Sequence, residues 1–222
     1  FSLALIVAAV AGIVVGRLID RRGPRLVMTT GSVLGALAML VIAWAPSIGW
    51  FVVGWLISGL AQSAVLYPPA FAALTRWYGT ARVRGLMVLT VVGGFASTVF
   101  APLTAGLLDV MSWRQAFVVL AAMLAITTIP AHAWGLRAPW PDIDGSAHRH
   151  TDHPHRHAYA RGVMRSRAFL ALLLSMTLAA FAFGSAAVNL VPSLTAQGWT
   201  ATAAAWALGV TGAAQVLGRL GY

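Results

Sequence analysis

Long apolar runs alternate with short polar stretches along the whole chain. Several runs hold roughly 20 residues without a charge, which is the length that a helix needs to cross the ~30 Å hydrocarbon core of a bilayer. A backbone in lipid must satisfy its own hydrogen bonds, so these runs predict helices, and they are too long for the alternating strands of a membrane barrel. The pattern predicts an all-α, polytopic membrane helix bundle. The seven predicted spans are 1–16, 26–45, 49–74, 86–108, 115–134, 168–191 and 202–218.

Composition supports a membrane protein and narrows its chemistry. The chain is 59% hydrophobic and 9% charged, with a mean hydropathy of +0.82, whereas soluble domains carry about 25% charged residues. Cysteine is absent, which excludes disulfides, thiolate metal sites and cysteine nucleophiles. The sequence has no nucleotide-binding loop and no catalytic constellation, so we expect neither an enzyme nor a cofactor. All cations are arginine and all anions aspartate, which, with abundant Ala and Gly, favours a bacterial inner-membrane protein.

The arginines predict the orientation of the spans. If the loops alternate between two sides, fourteen of the fifteen arginines fall on one side and Arg114 falls on the other. Short loops rich in arginine lie in the cytoplasm, so we expect loops 17–25, 76–85, 138–166 and 219–222 to be cytoplasmic. Because these arginines lie between apolar runs, the net charge of +10 indicates topology signals and a lipid bilayer as partner, and no nucleic acid.

One long polar stretch divides the chain. Residues 138–166 separate an N-terminal half, 1–137, from the start of a second half, 167–222. A Gly-Arg-Leu triplet closes both the first and the last span, which suggests two duplicated halves. Both ends of the sequence lie within or just beyond apolar runs, so we expect it to be part of a longer chain.

The densest polar cluster of the N-terminal half is the decapeptide GRLIDRRGPR, residues 16–25. It resembles the signature loop of the major facilitator superfamily, which reads Gly, three residues, Asp, Arg or Lys, any residue, Gly, any residue, Arg or Lys. The resemblance implies that the seven spans are helices 2 to 8 of twelve. It implies a secondary active transporter of a small solute, working by alternating access, with a proton or ion as candidate coupling partner. The matching residues are Gly16, Asp20, Arg21, Gly23 and Arg25.

The same resemblance assigns roles within this loop, which we call the motif loop. Asp20 could simply be a solvated loop residue, but in the family motif it implies a conformational latch. The latch would pair Asp20 with an arginine near the next cytoplasmic loop and with a helix end of the other half. Gly16 and Gly23 are interpreted as close-approach or turn positions. The candidate latch partners are Arg76, Arg82 and Arg84.

Helices 4 and 7 of the family fold line the central cavity, so polar and aromatic residues there are candidate substrate contacts. Such residues at membrane depth usually face the bundle or a cavity. The candidates are Trp55, Gln62, Tyr67, Thr177 and Asn189. Prolines remove backbone donors, so Pro68, Pro69 and Pro102 are predicted to bend their helices. The runs YPPAFAALTRWYG and SWRQAF also resemble the monocarboxylate-transporter branch of the family.

The polar stretch carries five histidines at close spacing. Imidazoles bind Zn or Ni, which leaves a metal-ion exporter or sensor as one alternative function. A solvated linker without metal is the interpretation that we prefer, and a non-transporting membrane scaffold is the second alternative. The histidines are His148, His150, His153, His155 and His157.

Overall fold

The structure is a computed structural model that describes residues 1–141 and 166–220. Within this part of the chain the secondary structure is entirely helical, which confirms the predicted all-α class. A 3-10 turn, Gly79–Ala81, joins two of the α-helices. The α-helices are α1 (Ser2–Arg22), α2 (Pro24–Ala43), α3 (Ile48–Val65), α4 (Tyr67–Tyr78), α5 (Arg82–Gly94), α6 (Ala96–Val110), α7 (Trp113–Gly135), α8 (Arg167–Ala196) and α9 (Ala201–Leu220).

Six helical stretches in the described ranges are long and apolar enough to cross a membrane. The longest runs from Ile48 to Val110 and holds 63 residues, which would extend about 95 Å as one straight helix. It instead reverses at the 3-10 turn. The reversal is evident from Tyr67 at the start of α4, which lies against Gly93 at the end of α5. The stretch therefore supplies two passes, and these correspond to the third and fourth predicted spans.

The surface of the helices is apolar. Large side chains such as Val10 and Val14 on α1 and Phe181 on α8 are 65%, 64% and 74% exposed. Contiguous apolar surface on this scale is unstable in water and marks contact with a membrane or a partner. The observed surface therefore agrees with helices embedded in lipid.

The N-terminal helices pack around α2, which lies along both α3 and α7, while α1 lies along α3. Small residues allow these close approaches. A Cβ atom added to Gly31 would lie 2.6 Å from the Ala64 Cβ, and one added to Gly59 would collide with the carbonyl of Ala4. Gly31 and Gly35 thus form a packing stripe within the half, as such pairs commonly do in membranes.

The second group of helices is organised by α9. This helix packs along α6 and contacts α5, and α8 packs against α9 alone among the described helices. The Thr98 hydroxyl donates to the carbonyl of Gly209 at 2.8 Å. Towards the start of α9, the Thr202 hydroxyl donates to a carboxylate oxygen of Asp109 at 3.3 Å. These two hydrogen bonds join α6 to α9 near both ends of their contact.

Helix interruptions lie beside glycine and proline residues, but Pro68 and Pro69 start a helix instead of bending one as predicted. Pro68 and Pro69 occupy the first turn of α4, after Leu66 with extended dihedral angles of −76° and −168°. Proline is favoured in a first helical turn, where its missing N–H is not needed. These prolines therefore start a helix after a break. The α5–α6 junction lies at Phe95, directly after two glycines, whereas Pro102 lies inside α6.

Candidate functional site

A single residue, Gly23, forms the turn of the motif loop. Gly23 stands alone between α1 and α2 with a φ of 78°, a backbone conformation that side chains rarely adopt. Its N–H donates to the carbonyl of Ile19 at 2.8 Å, and Pro24 then begins α2. Gly16, by contrast, lies within α1, and a Cβ atom there would meet nothing within 4 Å. Gly23 is a turn and close-approach residue, and Gly16 is neither in this structure.

Asp20 lies beside Arg76, which is in the last turn of α4. The Nη1 atom of Arg76 is 3.9 Å from the Asp20 carboxylate and donates to the Asp20 carbonyl at 3.2 Å. The Asp20 side chain is 66% exposed, and exposed ion pairs contribute only about 0–1 kcal/mol. The other candidates differ, since Arg82 donates to Gly79 in its own turn and Arg84 is exposed on α5. Of the three arginines, Arg76 is therefore the one beside Asp20.

Residues 139–141, which we call the Trp140 segment, cover this pair. Nε and Nη2 of Arg76 donate to the carbonyl of Pro141 at 2.8 and 2.5 Å. The Arg76 guanidinium carbon lies 4.4 Å from the Trp140 ring centroid, within the range of a cation–π contact. The Trp140 indole N–H donates to the carbonyl of Asp20 at 3.3 Å. Arg76 therefore binds the motif loop and the Trp140 segment at once.

A second tryptophan completes the cluster. The Trp77 indole N–H donates to the Pro139 carbonyl at 3.1 Å, and the rings of Trp77 and Trp140 meet edge to face at 5.8 Å. Trp140 also packs against the buried cluster formed by Ile19, Val27 and Ala64. Sequence reasoning missed this segment because it assigned residues from 138 onward to a solvated loop. The available signal was a tryptophan placed between two prolines at the edge of the polar stretch.

Arg25 makes another connection from the motif loop. Its Nε donates to the carbonyl of Ala133, in the last turn of α7, at 2.8 Å. Arg21, the remaining charged residue among the five that match the family motif, is exposed. The motif loop is thus fixed by Arg76 of α4 on one side and bonded to α7 on the other.

Three of the predicted cavity residues lie on α3 and α4. Trp55 is in a row of aromatic rings, with centroids 5.8 Å from Phe1 and 6.2 Å from Phe51. The Gln62 amide donates to the Ser58 hydroxyl at 3.1 Å. Tyr67 stacks obliquely on Phe71 at 5.4 Å. Each of these three residues is at least partly exposed to solvent and contacts a neighbouring side chain.

The other two cavity candidates, Thr177 and Asn189, lie on α8. Both are exposed and bond to their own helix, Thr177 to the Leu173 carbonyl at 2.7 Å and Asn189 to the Ser185 carbonyl at 2.8 Å. Because α8 contacts α9 alone among the described helices, the structure does not bring these residues together with those of α3 and α4.

His132 and Ser32 join α7 to α2. The Nδ1 atom of His132 lies 2.7 Å from the hydroxyl of Ser32, which is 2% exposed. This contact makes His132 a residue of the α2–α7 interface. The five clustered histidines, His148, His150, His153, His155 and His157, lie outside the described residues.

The sequence profile described as Major Facilitator Superfamily matches residues 1–222. The chain belongs to this superfamily. The match confirms the predicted family and its helical fold, and it extends over the motif loop and every described helix.

Similar curated proteins within the major facilitator superfamily are mammalian. The chain is 29% identical over 202 residues to monocarboxylate transporter 13 of Bos taurus, covering 89% of this chain and 45% of that protein. It is 27% identical over 213 residues to monocarboxylate transporter 13 of Rattus norvegicus, covering 89% and 44%. Monocarboxylate transporter 11 of Mus musculus is 31% identical over 122 residues, covering 55% and 27%. The chain spans less than half the length of these relatives, and they give no support to the expected bacterial inner membrane.

Proposed function

We propose that the protein is a secondary active transporter that moves a small solute across a membrane by alternating access. The observation that carries the proposal is the match of all 222 residues to the major facilitator superfamily. The apolar helix surfaces and the motif loop agree with it. In such transporters two halves rock about a central site, and a substrate shifts the population between two states through differential binding.

The halves and their orientation complete this proposal. We assign residues 1–137 to the first half, 138–166 to the connection and 167–222 to the start of the second half. The protein would be multi-pass in the cell membrane, with loops 17–25, 76–85, 138–166 and 219–222 on the cytoplasmic side. The arginine distribution supports this orientation.

The Asp20–Arg76 pair is our proposed conformational latch. Its support is the geometry in which Arg76 reaches both Asp20 and the Pro141 carbonyl. Because the Asp20 side chain of the ion pair is exposed while that of Arg76 is 16% exposed, the strength of the latch depends on the neighbouring hydrogen bonds of Arg76 and on the Trp140 ring. A conformational change within the first half that moves α4 away from the motif loop would break all of these contacts together, so the proposed latch has one bound and one released state.

The proposed substrate is a small monocarboxylate, by analogy with the names of the mammalian relatives. Trp55, Gln62 and Tyr67 from α3 and α4, with Thr177 and Asn189 from α8, are the proposed cavity residues. A proton is the proposed coupling ion, because a carboxylate carried with one proton crosses without net charge.

Transport in proteoliposomes tests these proposals separately. We expect uptake of radiolabelled lactate or pyruvate, accelerated by an inward proton gradient, in vesicles containing the full-length protein of which this sequence is expected to be a part. If a broad panel of solutes shows no movement, the transporter proposal fails. If other solutes move while monocarboxylates do not, the substrate proposal alone fails.

Two variants test the latch. Asp20→Asn should slow transport by up to about fivefold, because it removes an ion pair of about 0–1 kcal/mol. Arg76→Gln should slow transport more, because it also removes the hydrogen bonds to the Pro141 and Asp20 carbonyls. Arg84→Gln is the matched control, since Arg84 is exposed on α5 and does not bond to Asp20, and it should transport normally. Normal transport by Asp20→Asn would remove the latch and leave the transporter proposal intact. Similarity to known proteins favours neither the metal-ion exporter or sensor nor the scaffold.

A further inference from the structure

A basic groove lies beside the motif loop and is lined in part by two of its arginines. It lies between the ends of α1 and α7 and the first two turns of α2, and its volume is about 410 Å³. The groove joins a charged rim to an apolar wall, and this combination suits an amphiphilic ligand. Its lining residues are Arg22, Arg25, Leu26, Thr29, Thr30 and Ala133.

The charge of the groove is uncompensated within the described ranges. Its lining contains two arginines and no acidic side chain. The hydrogen bond from Arg25 Nε to the Ala133 carbonyl fixes that guanidinium across the groove, while its terminal nitrogens have no hydrogen bond to described residues. Arg22 has no ion pair with them either. Guanidinium groups held with free donors are well suited to phosphate, which they bind through paired N–H groups.

The apolar part of the groove faces the region where lipid would lie. Leu26 is 54% exposed, and Trp134, next to Ala133 on α7, is 63% exposed. Tryptophan at the end of a membrane helix marks the level of the lipid headgroups. An anion that binds here would therefore sit at the membrane surface, with an apolar path beside it.

We propose that this groove binds the phosphate headgroup of an anionic phospholipid, with Arg22 and Arg25 on the phosphate and an acyl chain beside Leu26. Anionic lipid is favoured over free phosphate because most of the surface that the lining residues expose to the groove is apolar. In addition, basic pockets at helix ends attract such headgroups. The inference depends on insertion of the helices in a membrane and is independent of the transported solute.

Native mass spectrometry of the purified protein in detergent tests this site, with phosphatidylglycerol and phosphatidylcholine as probes. One phosphatidylglycerol should bind at low lipid concentration, and phosphatidylcholine should bind much more weakly. Each basic residue near an anionic surface contributes about fivefold to binding. Arg22→Gln/Arg25→Gln should therefore weaken phosphatidylglycerol binding about thirtyfold, whereas the control Arg82→Gln/Arg84→Gln, which also removes two arginines, should not.

A groove-filling variant separates a defined site from general surface charge. Ala133→Phe keeps both arginines but occupies the groove, so it should also reduce phosphatidylglycerol binding by at least tenfold. Each variant is first required to unfold at the wild-type temperature in lipid-free detergent, and Ala133→Leu replaces Ala133→Phe if that variant does not. Equal binding of the two lipids, equal losses in the control, or unchanged binding in the groove-filling variant would overturn the proposal. Displacement of the lipid by millimolar inorganic phosphate would also overturn it, by identifying free phosphate as the ligand.

Discussion

Replacement of Trp140 by alanine tests whether the Trp140 segment holds the motif loop. Three interactions of known type are lost, in addition to the packing of Trp140 against the cluster of Ile19, Val27 and Ala64. The contact with the Arg76 guanidinium contributes about 0.5–1 kcal/mol at an exposed site. The hydrogen bond to the Asp20 carbonyl contributes about 0.5–1.5 kcal/mol, and the edge-to-face contact with Trp77 contributes a similar amount.

Together these losses predict that Trp140→Ala lowers the free energy of unfolding by about 1.5–4 kcal/mol. A fully buried tryptophan would cost about 3–5 kcal/mol, and Trp140 is only half-buried. The measurement is reversible unfolding in mixed micelles by increasing the mole fraction of dodecyl sulfate. Trp140→Phe keeps a ring but not the indole N–H, so it should lose about 1 kcal/mol.

A double-mutant cycle with Arg76→Gln identifies the interaction responsible. The effects of the Trp140→Ala and Arg76→Gln changes should depart from additivity by about 1 kcal/mol, because both variants remove the same contact. Trp134→Ala serves as the control, since Trp134 is 63% exposed at the end of α7, and it should combine additively with Arg76→Gln. Additivity within about 0.3 kcal/mol for the Trp140 pair would refute the reasoning.

Two glycine pairs provide further predictions. Gly23→Ala should cost about 2 kcal/mol or more in the same unfolding assay, because its φ of 78° opposes a side chain and the added Cβ would lie 3.3 Å from Cγ of Trp140. Gly16→Ala, in an open helical position, should instead stabilise by about 1 kcal/mol, and equal effects would contradict the geometry. Gly212→Ala should destabilise by about 1–3 kcal/mol, because the added Cβ would collide with α6. Gly218→Ala on the same helix meets nothing within 4 Å and should not destabilise, so a matching loss there would count against the close α6–α9 contact.

The helices could be predicted from the sequence because each depends on the hydrophobicity of its own contiguous run of residues. A run such as 26–45 is apolar over the length of a bilayer, and the described helix Pro24–Ala43 follows it closely. The packing role of Gly31 was also accessible, since small residues four apart favour close helix contact. The prolines at positions 68 and 69 were correctly associated with an irregularity, but its form depended on Leu66 adopting an extended conformation.

The candidate site was less accessible because it depends on contacts between distant segments. Asp20 could be selected from its motif, but three arginines had equivalent positions in the sequence, and only folding places Arg76 beside it. Trp140 lies in a stretch whose average composition indicates a solvated loop, so its contacts 120 residues away had no local signal. The cavity residues of α8 were assigned by family resemblance, and their assembly with those of α3 and α4 stays a prediction.

The one-residue junction at Gly23 has a mechanical consequence. Two helices of 21 and 20 residues meet at a stiff elbow whose angle is set by one glycine, by the following proline and by the tryptophan ring against it. We expect such a joint to transmit movement, so that a tilt of α1 produces a tilt of α2 and, through the contact of α2 with α7, of α7. The motif loop would then act as a rigid connection and not as a hinge, so that α1, α2, α3 and α7 tilt together.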